Sequence, residues 1–371
     1  MARANISGDY ATTQLRQDTG MLRPAPAVVA SVLLLTLTLP LAARRADTLP
    51  AALSDREFWS LIQRLSEPNG SFVSRSGSPD NLLSNEMQVS TVAAALARQV
   101  PPSGVYLGVG PEQNFTYIAA IKPRIAFITD IRRGNLDLHL VYKALFEMSS
   151  SRADFAARLF NRRFVRTLSR TSTAAQLMAA YSSASPADEA TFDANLKAVT
   201  DLLTQKHGFA LTADDRANIE HVSRAFYRFG PDIDYTSSID GRTGRFRSYA
   251  ALMASVDAES GAERGFLANE DNFALVKEME NRNMVVPVVG DFAGPKALRS
   301  IGAWLKARGA VVSAFYVSNV EQYLEQNGKW SAFCANVATL PLDRSSIFIR
   351  PNRGGSSFSP IMAEATACAR R

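Results

Sequence analysis

The chain has 371 residues, of which 46% are hydrophobic and 20% are charged, so it can bury a large core as two domains or as one domain with insertions. Its formal net charge is +6, but the basic residues are dispersed and form no stripe with interleaved aromatic residues. We therefore expect no nucleic-acid partner. Three widely spaced histidines and two cysteines give little support to a His/Cys metal site.

The first 46 residues are predicted to be a leader built around the uncharged apolar segment 25–43. The apolar centre of this segment has signal-peptide length, whereas the basic pair Arg44-Arg45 after it favours an uncleaved membrane anchor. We expect a protein that is exported to the periplasm or associated with the membrane through this segment. The alternative is a cytosolic chain with an unusual leader. Met21 is an alternative start to Met1, because the residues between them are mostly polar.

Residues 47–150 are predicted to contain N-terminal helices followed by the first half of a sheet domain. Ser54 is placed to cap a helix over 56–65, whose apolar residues fall on one face. A loop rich in Gly, Ser, Pro and Asn follows over 66–82, and a loop of this length often carries function. A second helix then begins near Ser84.

The stretch 104–135 has the pattern of a mononucleotide-binding βαβ unit. A short apolar run ends at Gly108-Val109-Gly110, a helix is predicted before Pro123, and a second apolar run ends at Asp130. Glycines let the backbone approach a ligand closely, and an acid at the tip of the second strand accepts hydrogen bonds from ribose hydroxyls. The sequence therefore predicts a ligand site at these two strand tips.

Two residues in the turn argue against a dinucleotide ligand. Gln113 stands where a dinucleotide fingerprint has its third glycine, and Glu112 precedes it. A carboxylate beside a pyrophosphate is repulsive in a poorly screened cleft. The turn therefore favours a ligand without phosphates over NAD(P), although an NAD(P)-dependent oxidoreductase stays a third possibility.

The pair Arg132-Arg133 has two interpretations. It is either an anion contact for a phosphorylated cofactor such as NADP, or a pair of arginines at the surface or in a salt bridge to Asp137 or Glu147. We favour the second interpretation, because the turn lacks its third glycine.

Residues 151–265 are predicted to be a helical insertion, with helices at 152–161, 173–182, 187–206 and 212–228. Residues 266–371 are predicted to supply the second half of the sheet domain, with strands at 284–289, 311–316 and 345–350, and the C-terminal tail. The alternation of strands and helices indicates an α/β fold. We expect a Rossmann-like, doubly wound, mostly parallel sheet with the insertion between its second and third core strands.

Ligands of open α/β sheets bind outside the carboxyl ends of the strands. This rule gathers the tips Gly108-Val109-Gly110, Asp130, Gly290-Asp291 and Ser318-Asn319 with Glu321. Glu321 is a candidate general base and Tyr316 or Tyr323 a candidate substrate contact. The alternative is that Asn319 and Glu321 are only the N-cap and first-turn acid of a helix.

Five segments together resemble the Rossmann-like S-adenosylmethionine-dependent methyltransferase superfamily, in a divergent bacterial branch. They are the helix start SNE, the turn YLGVGPEQN, the strand tip ITDIRR, and the segments VVGDF and FYVSNVEQY. The resemblance implies S-adenosylmethionine as the cofactor and an unknown small molecule as substrate. It places Gly108 and Gly110 at the cofactor turn, Asp130 at the ribose, Asp291 near adenine, Glu86 at the border of the cleft, and Asn319 and Glu321 at the substrate. It also makes Phe72, Ser74 and Asn81 candidates to cover a ligand.

Two hypotheses about function follow. The first is a methyltransferase, although the Asn/Asp-Pro-Pro-aromatic motif of amine methylation is absent. The second is a non-enzymatic exported or membrane-tethered binding protein that keeps the fold without the cofactor. Three features favour the second. They are the leader, Tyr106, which stands where the superfamily commonly has an acid, and Glu112 in the turn.

The two cysteines, Cys334 and Cys368, could pair in an exported protein, but their spacing does not require it. We expect an unpaired, buried Cys334 and an exposed Cys368.

Overall fold

The structure of the protein is a computed structural model that describes residues 47–71, 80–237, 244, 246–352 and 355–368. The apolar segment predicted as a signal or anchor, with the rest of the leader, lies outside these residues. Within the described ranges, no helix has both the length and the apolar character to cross a membrane.

A six-stranded sheet lies at the centre, with strand order β3-β2-β1-β4-β5-β6. The strands are β1 Val105–Gly108, β2 Ile125–Asp130, β3 Val285–Val289, β4 Val312–Tyr316, β5 Ile347–Asn352 and β6 Gly355–Pro360. Neighbouring strands from β3 across to β5 are parallel, and β6 is antiparallel to β5. The predicted mixed α/β fold with a mostly parallel sheet is confirmed.

The local sequence explains why these segments form strands. Every residue of β1, β2 and β3 is buried. Such burial matches their continuous apolar runs, because a parallel sheet is covered on both faces. Pro287 within β3 is tolerated because β3 is an edge strand, where a missing backbone N–H breaks no sheet hydrogen bond on the free side.

Fourteen α-helices are described in these ranges. They are α1 Asp55–Leu65, α2 Val89–Gln99, α3 Gln113–Ile121, α4 Arg133–Met148, α5 Arg152–Leu159, α6 Ala174–Ser183, α7 Glu189–Asp201, α8 Ala213–Phe229, α9 Tyr249–Met253, α10 Glu270–Asn281, α11 Ala297–Lys306, α12 Val320–Gln326, α13 Trp330–Val337 and α14 Ile361–Cys368. A π-helix, Leu202–Lys206, continues α7, and a 3₁₀ turn, Gly230–Asp232, follows α8. The predicted cap of α1 is confirmed, because the Ser54 side chain accepts a hydrogen bond from the Glu57 backbone N–H.

The helical region between β2 and β3 shares the core of the sheet. Phe155 on α5 lies 4.7 Å from Phe146 on α4, and Phe115 on α3 lies 5.4 Å from Phe266 (ring centroids). The residues that the structure describes form one compact unit. The helices predicted in this region are present, and they pack into the main core.

A cluster of ionisable groups, all buried except the partly exposed Asp55, joins α1, α4, α10 and the end of the π-helix. Lys143 Nζ lies 2.8 Å from Glu147 Oε1 and donates to the Glu280 carbonyl. His207 lies between two carboxylates, with Nε2 2.8 Å from Glu147 and Nδ1 2.9 Å from Asp55. The Glu280 carboxyl is almost fully buried, and this burial raises its pKa to about 8.

Cys334 on α13 is buried and disulfide-bonded, so the prediction that it is unpaired was wrong. The reason is tertiary, because the antiparallel β5–β6 pair turns the chain back and α14 then packs against α13. Nothing in the spacing of the two cysteines indicates this return.

Candidate functional site

A cleft of about 190 Å³ lies at the carboxyl ends of β1, β2, β3 and β4; we call it the strand-tip cleft. The parallel register explains the convergence, since Gly108 pairs with Ile128 and Asp130 with Val289. The cleft is lined by Ser71, Asn81, Ser84, Asn85, Val109, Gly110, Pro111, Gln113, Thr129, Asp130, Ile131, Arg132, Tyr235, Gly290, Asp291, Phe292, Tyr316, Ser318, Asn319, Val320, Tyr323, Leu324, Asn327 and Lys329.

The two turn glycines have different roles. Gly110 lines the cleft at a φ of +77°, a conformation that glycine adopts without a Cβ clash. Gly108 does not line it. A Cβ on Gly108 would lie 2.1 Å from Asn114 Oδ1 and 2.8 Å from Tyr106 Cε1. The structure therefore requires Gly108 for packing behind the turn.

Asn114 holds the turn in place from behind. Its Nδ2 donates to the carbonyls of Val109, Gly110 and Pro111 at 3.0, 3.1 and 2.7 Å. The Tyr106 hydroxyl donates to Asn114 Oδ1 at 2.8 Å. Tyr106, at the position where the resemblance implies an acid, is therefore a buried part of the turn's support.

His139 and Glu112 also lie behind the turn. His139 Nε2 is 2.9 Å from the Gly110 carbonyl, and burial lowers the pKa of the ring to about 4, so a neutral His139 donates this bond. Glu112 does not line the cleft. Its carboxylate accepts from the Ser84 backbone N–H at 3.2 Å, and burial raises its pKa to about 8. The expectation that Glu112 repels a phosphate was therefore wrong, because its side chain is buried on another side of the turn.

Gln113 faces the cleft in place of the third glycine. Its Nε2 donates to the Val109 carbonyl at 2.9 Å, which fixes the orientation of the amide. Its Oε1 is buried and has no hydrogen-bond partner within the described ranges. The side chain occupies space that a close approach of pyrophosphate to the backbone needs.

Asp130 lies at the tip of β2 and lines the cleft beside Arg132. Asp130 Oδ1 accepts from Arg132 N at 2.9 Å and from Arg132 Nε at 3.2 Å. Arg133 instead makes a salt bridge with Asp215 on α8. The interpretation that these arginines form internal salt bridges is confirmed. Their partners are Asp130 and Asp215, and not the predicted Asp137 or Glu147. Arg132 itself belongs to the cleft.

Asp291, at the tip of β3, lines the cleft as predicted. Its Oδ2 accepts from Lys329 Nζ at 2.8 Å, and its Oδ1 accepts from the Ala293 backbone N–H at 2.9 Å. Glu67, from the loop after α1, accepts from the Asp291 backbone N–H at 3.2 Å and from the first backbone N–H groups of α11 at 2.8 Å. Glu67 thereby fixes the loop that presents Asp291.

The structure separates the two candidate catalytic residues. Asn319 lines the cleft; it is the N-cap residue of α12, as in the alternative, but its side chain makes no capping hydrogen bond. Glu321 does not line it, because its carboxylate is bound by Arg350, which also binds Glu364 on α14. Glu321 is therefore not placed to act as a general base in the cleft. It lies in the first turn of α12, as the alternative interpretation predicted.

Glu86 lies directly behind the cleft wall. Its Oε1 accepts a hydrogen bond from the Tyr316 hydroxyl and lies 3.5 Å from Ser318 Oγ. Tyr316 and Ser318 both line the cleft, whereas Glu86 does not. Burial raises the pKa of the Glu86 carboxyl.

Sequence reasoning missed several residues of the cleft. Tyr235 comes from the loop after the 3₁₀ turn, and Lys329 comes from the turn between α12 and α13. Neither lies in a motif, so no sequence signal marks them. Asn81 and Tyr323 were predicted and do line the cleft, while Phe72 and Ser74 lie outside the described residues.

The chemistry of the lining suits a polar, amphoteric ligand. Its two carboxylates, Asp130 and Asp291, are each paired with a cation, Arg132 and Lys329. Hydroxyl and amide groups supply further donors and acceptors around them. Several of these polar groups, among them Asp130, Asp291 and Gln113, are held in fixed orientations by hydrogen bonds within the protein.

A scan against models of protein families matches residues 82–228 and 241–365 to a family described as a domain of unknown function (DUF7790). The two matched segments contain all six strands and the four strand tips of the cleft. They also contain α5 to α7 and all of α8 except Phe229, so most of the predicted insertion lies within the family's own domain. A search of curated proteins finds no match to this chain.

Proposed function

The chain belongs to this family of unknown function, and we propose that its strand-tip cleft binds a nucleoside-containing cofactor of the S-adenosylmethionine type, as in a methyltransferase-like protein. The observation that carries the proposal is the convergence of four strand tips in one cleft, on both sides of the β1–β4 pair. The order in which strands are added to the sheet reverses at that pair, and open α/β sheets bind ligands at such a switch point.

We also propose that the sheet is Rossmann-like and doubly wound, with the helices between β2 and β3 as an insertion. The strand order 3-2-1-4-5-6 supports this assignment. The antiparallel β6 departs from an all-parallel sheet, but it lies at the edge farthest from the glycine turn.

The cleft residues can each take one part of such a cofactor. Asp130 would accept hydrogen bonds from ribose hydroxyls, and Asp291 would contact the exocyclic amine of adenine. Gly110 would let the backbone approach the ligand. When bound, this cofactor would supply an electrophilic methyl group; the chain's residues bind it and orient the acceptor.

Calorimetry on the full purified chain with S-adenosylmethionine and S-adenosylhomocysteine tests the proposal. We expect binding of both, and at least tenfold weaker binding to the Asp130→Asn variant, because tenfold corresponds to about 1.4 kcal/mol, the scale of one charged hydrogen bond. Asp193→Asn, the same change at an exposed position of α7, serves as the matched control and should bind like the wild type. No binding of either ligand at millimolar concentration would refute the proposal.

A second candidate function, an exported or membrane-tethered binding protein without the cofactor, is favoured by one observation. Cys334 is disulfide-bonded, and disulfides persist mainly in oxidising compartments such as the periplasm. Fractionation of the tagged full chain separates the two candidates. A domain that faces the cytoplasm contradicts the second, and a periplasmic domain that does not bind S-adenosylhomocysteine supports it.

A further inference from the structure

We propose that Glu86, Tyr316 and Ser318 form a proton-accepting site on the β4 side of the strand-tip cleft, which removes a proton from a ligand hydroxyl. Glu86 is the proton acceptor, Ser318 is the hydroxyl that contacts the ligand, and Tyr316 positions the Glu86 carboxylate. The identification of the ligand as a hydroxyl-bearing methyl acceptor rests on the proposed function, whereas the proton-accepting site itself does not.

The geometry connects a buried carboxylate to the cleft through hydroxyl groups. Glu86 Oε1 accepts from the Tyr316 hydroxyl and lies 3.5 Å from Ser318 Oγ. Glu86 is 8% exposed and Tyr316 is 1% exposed, while Ser318 is partly exposed and lines the cleft. A proton therefore reaches Glu86 from the cleft through Ser318 Oγ. The Glu86 backbone N–H donates to Ser84 Oγ at 3.1 Å, which fixes the chain beside the carboxylate.

The backbone at Ser318 is an independent sign of function. Ser318 has a φ of +48°, in the left-handed region that few residues other than glycine and asparagine adopt. Such conformations cost of order 1–3 kcal/mol and cluster at ligand sites. Ser318 stands between the end of β4 and the start of α12, where it places its side chain between the cleft and Glu86.

The surroundings of Glu86 suit a base. The titratable groups that interact with its carboxylate are the hydroxyls of Tyr106 on β1, Tyr117 on α3 and Tyr316 on β4. Burial raises the pKa of Glu86 above its ordinary value. A carboxylate with a raised pKa is a stronger proton acceptor, which brings it closer to the pKa that general-base catalysis needs at neutral pH.

In the proton step, the ligand hydroxyl loses a proton and Glu86 gains one. Ser318 Oγ takes the proton of the ligand hydroxyl as it passes its own proton to Glu86 Oε1, and the O–H electron pair stays on the ligand oxygen. That oxygen becomes nucleophilic toward an electrophile such as the methyl group that the proposed cofactor supplies. Glu86 ends as the neutral acid and returns its proton to water after the product leaves.

A fluorophosphonate tests the site without a known substrate, because it makes Ser318 itself the nucleophile. The Ser318 Oγ–P bond forms, the P–F bond breaks with loss of fluoride, and the serine proton passes to Glu86. We expect peptide mass spectrometry of the full chain to show labelling at Ser318 at least tenfold faster than at Ser71, an exposed serine of the same cleft. Labelling should slow at least tenfold in Glu86→Gln, which keeps an acceptor for the Tyr316 hydroxyl.

The pH profile separates a proton acceptor from a merely structural Glu86. In the wild type, the labelling rate at Ser318 should rise with pH through a midpoint above 4.5, the ordinary pKa of a glutamate, and then level off. In Glu86→Gln this midpoint should disappear. Labelling of Ser71 without Ser318 in the wild type would overturn the proposal, and so would equal rates at Ser318 in the wild type and Glu86→Gln.

S-Adenosylhomocysteine distinguishes this proposal from the proposed function. If calorimetry shows that it binds, it should protect Ser318 from the probe with a midpoint at its own Kd, and labelling that is unaffected would contradict a shared cleft. If it does not bind, the proposed function fails, while fast, Glu86-dependent labelling still supports the proton-accepting site.

Discussion

Gly108→Ala is the sharpest test of how the glycine turn is built. The added Cβ would lie 2.1 Å from Asn114 Oδ1, 2.8 Å from Tyr106 Cε1 and 3.0 Å from the Tyr106 hydroxyl. Real Cβ atoms do not approach other heavy atoms this closely, so Asn114 or Tyr106 must move. Either movement breaks the 2.8 Å hydrogen bond between them and disturbs the bonds from Asn114 to the turn carbonyls.

The expected cost is about 3 kcal/mol in the free energy of unfolding. Overpacking of a buried site costs typically about 2 kcal/mol, and a lost buried hydrogen bond adds about 1 kcal/mol. Urea unfolding at 25 °C measures the change directly. Gly265→Ala is the control, because its Cβ would meet its nearest atom, the Met253 carbonyl oxygen, at an ordinary 3.4 Å.

The result also separates two roles for Gly108. If the glycine serves only the approach of a ligand, the alanine variant loses affinity for S-adenosylhomocysteine but keeps its stability. The structure predicts that both fall together, because the clash lies behind the turn. A free energy of unfolding for Gly108→Ala within about 0.5 kcal/mol of the wild-type value would refute this reasoning, because surface substitutions without structural consequence usually fall in that range.

The remaining predictions concern a buried acid and the disulfide. The folded pKa of Glu280 is raised to about 8 from an ordinary 4.5, so between these values the native state holds a proton that the unfolded state has lost, and stability falls as pH rises. In Glu280→Gln, the free energy of unfolding should fall less steeply between pH 5 and 8, by up to about 1.4 kcal/mol per pH unit. Urea unfolding at several pH values measures this slope, and a slope equal to that of the wild type would contradict the raised pKa. Cys334→Ser should lower the free energy of unfolding by roughly 2–4 kcal/mol, and reductant should not lower it further. Thermal unfolding of the wild type with and without reductant is the check, because an unchanged midpoint would show that the disulfide contributes nothing.

Much of the fold is readable from the sequence because its signals are local. Apolar runs bounded by glycine, proline or acid predict the strands, and the Ser54 cap and apolar spacing predict α1. Because the carboxyl ends of parallel strands lie at one edge of the sheet, the sequence alone predicts that Gly110, Asp130, Asp291 and Asn319 lie close together. All four line the cleft.

The partners of the acidic side chains were not readable, because they come from distant parts of the chain. Glu321 was predicted at a strand tip and Glu86 at the start of the helix that borders the cleft. Only the return of β5 brings Arg350 to Glu321, and only the folding of the segment before α2 brings Glu86 to Tyr316, 230 residues away in sequence. The prediction that this helix begins near Ser84 was wrong, because α2 begins at Val89. Glu112 follows the turn directly, yet its side chain is buried against Ser84.

The sequence by itself determined most of the segments that become strands and helices, though not β6 or α14, and which residues stand at the strand tips, because propensity, periodicity and turn chemistry act over a few residues. The tertiary structure alone decided which of those residues face the cleft and which carboxylates are bound by cations. Those outcomes depend on long-range packing and on burial, which set the charge state of each carboxyl and pair groups from separate elements. The glycine turn shows both levels, with Gly110 open to the cleft and Gly108 closed against Tyr106 and Asn114.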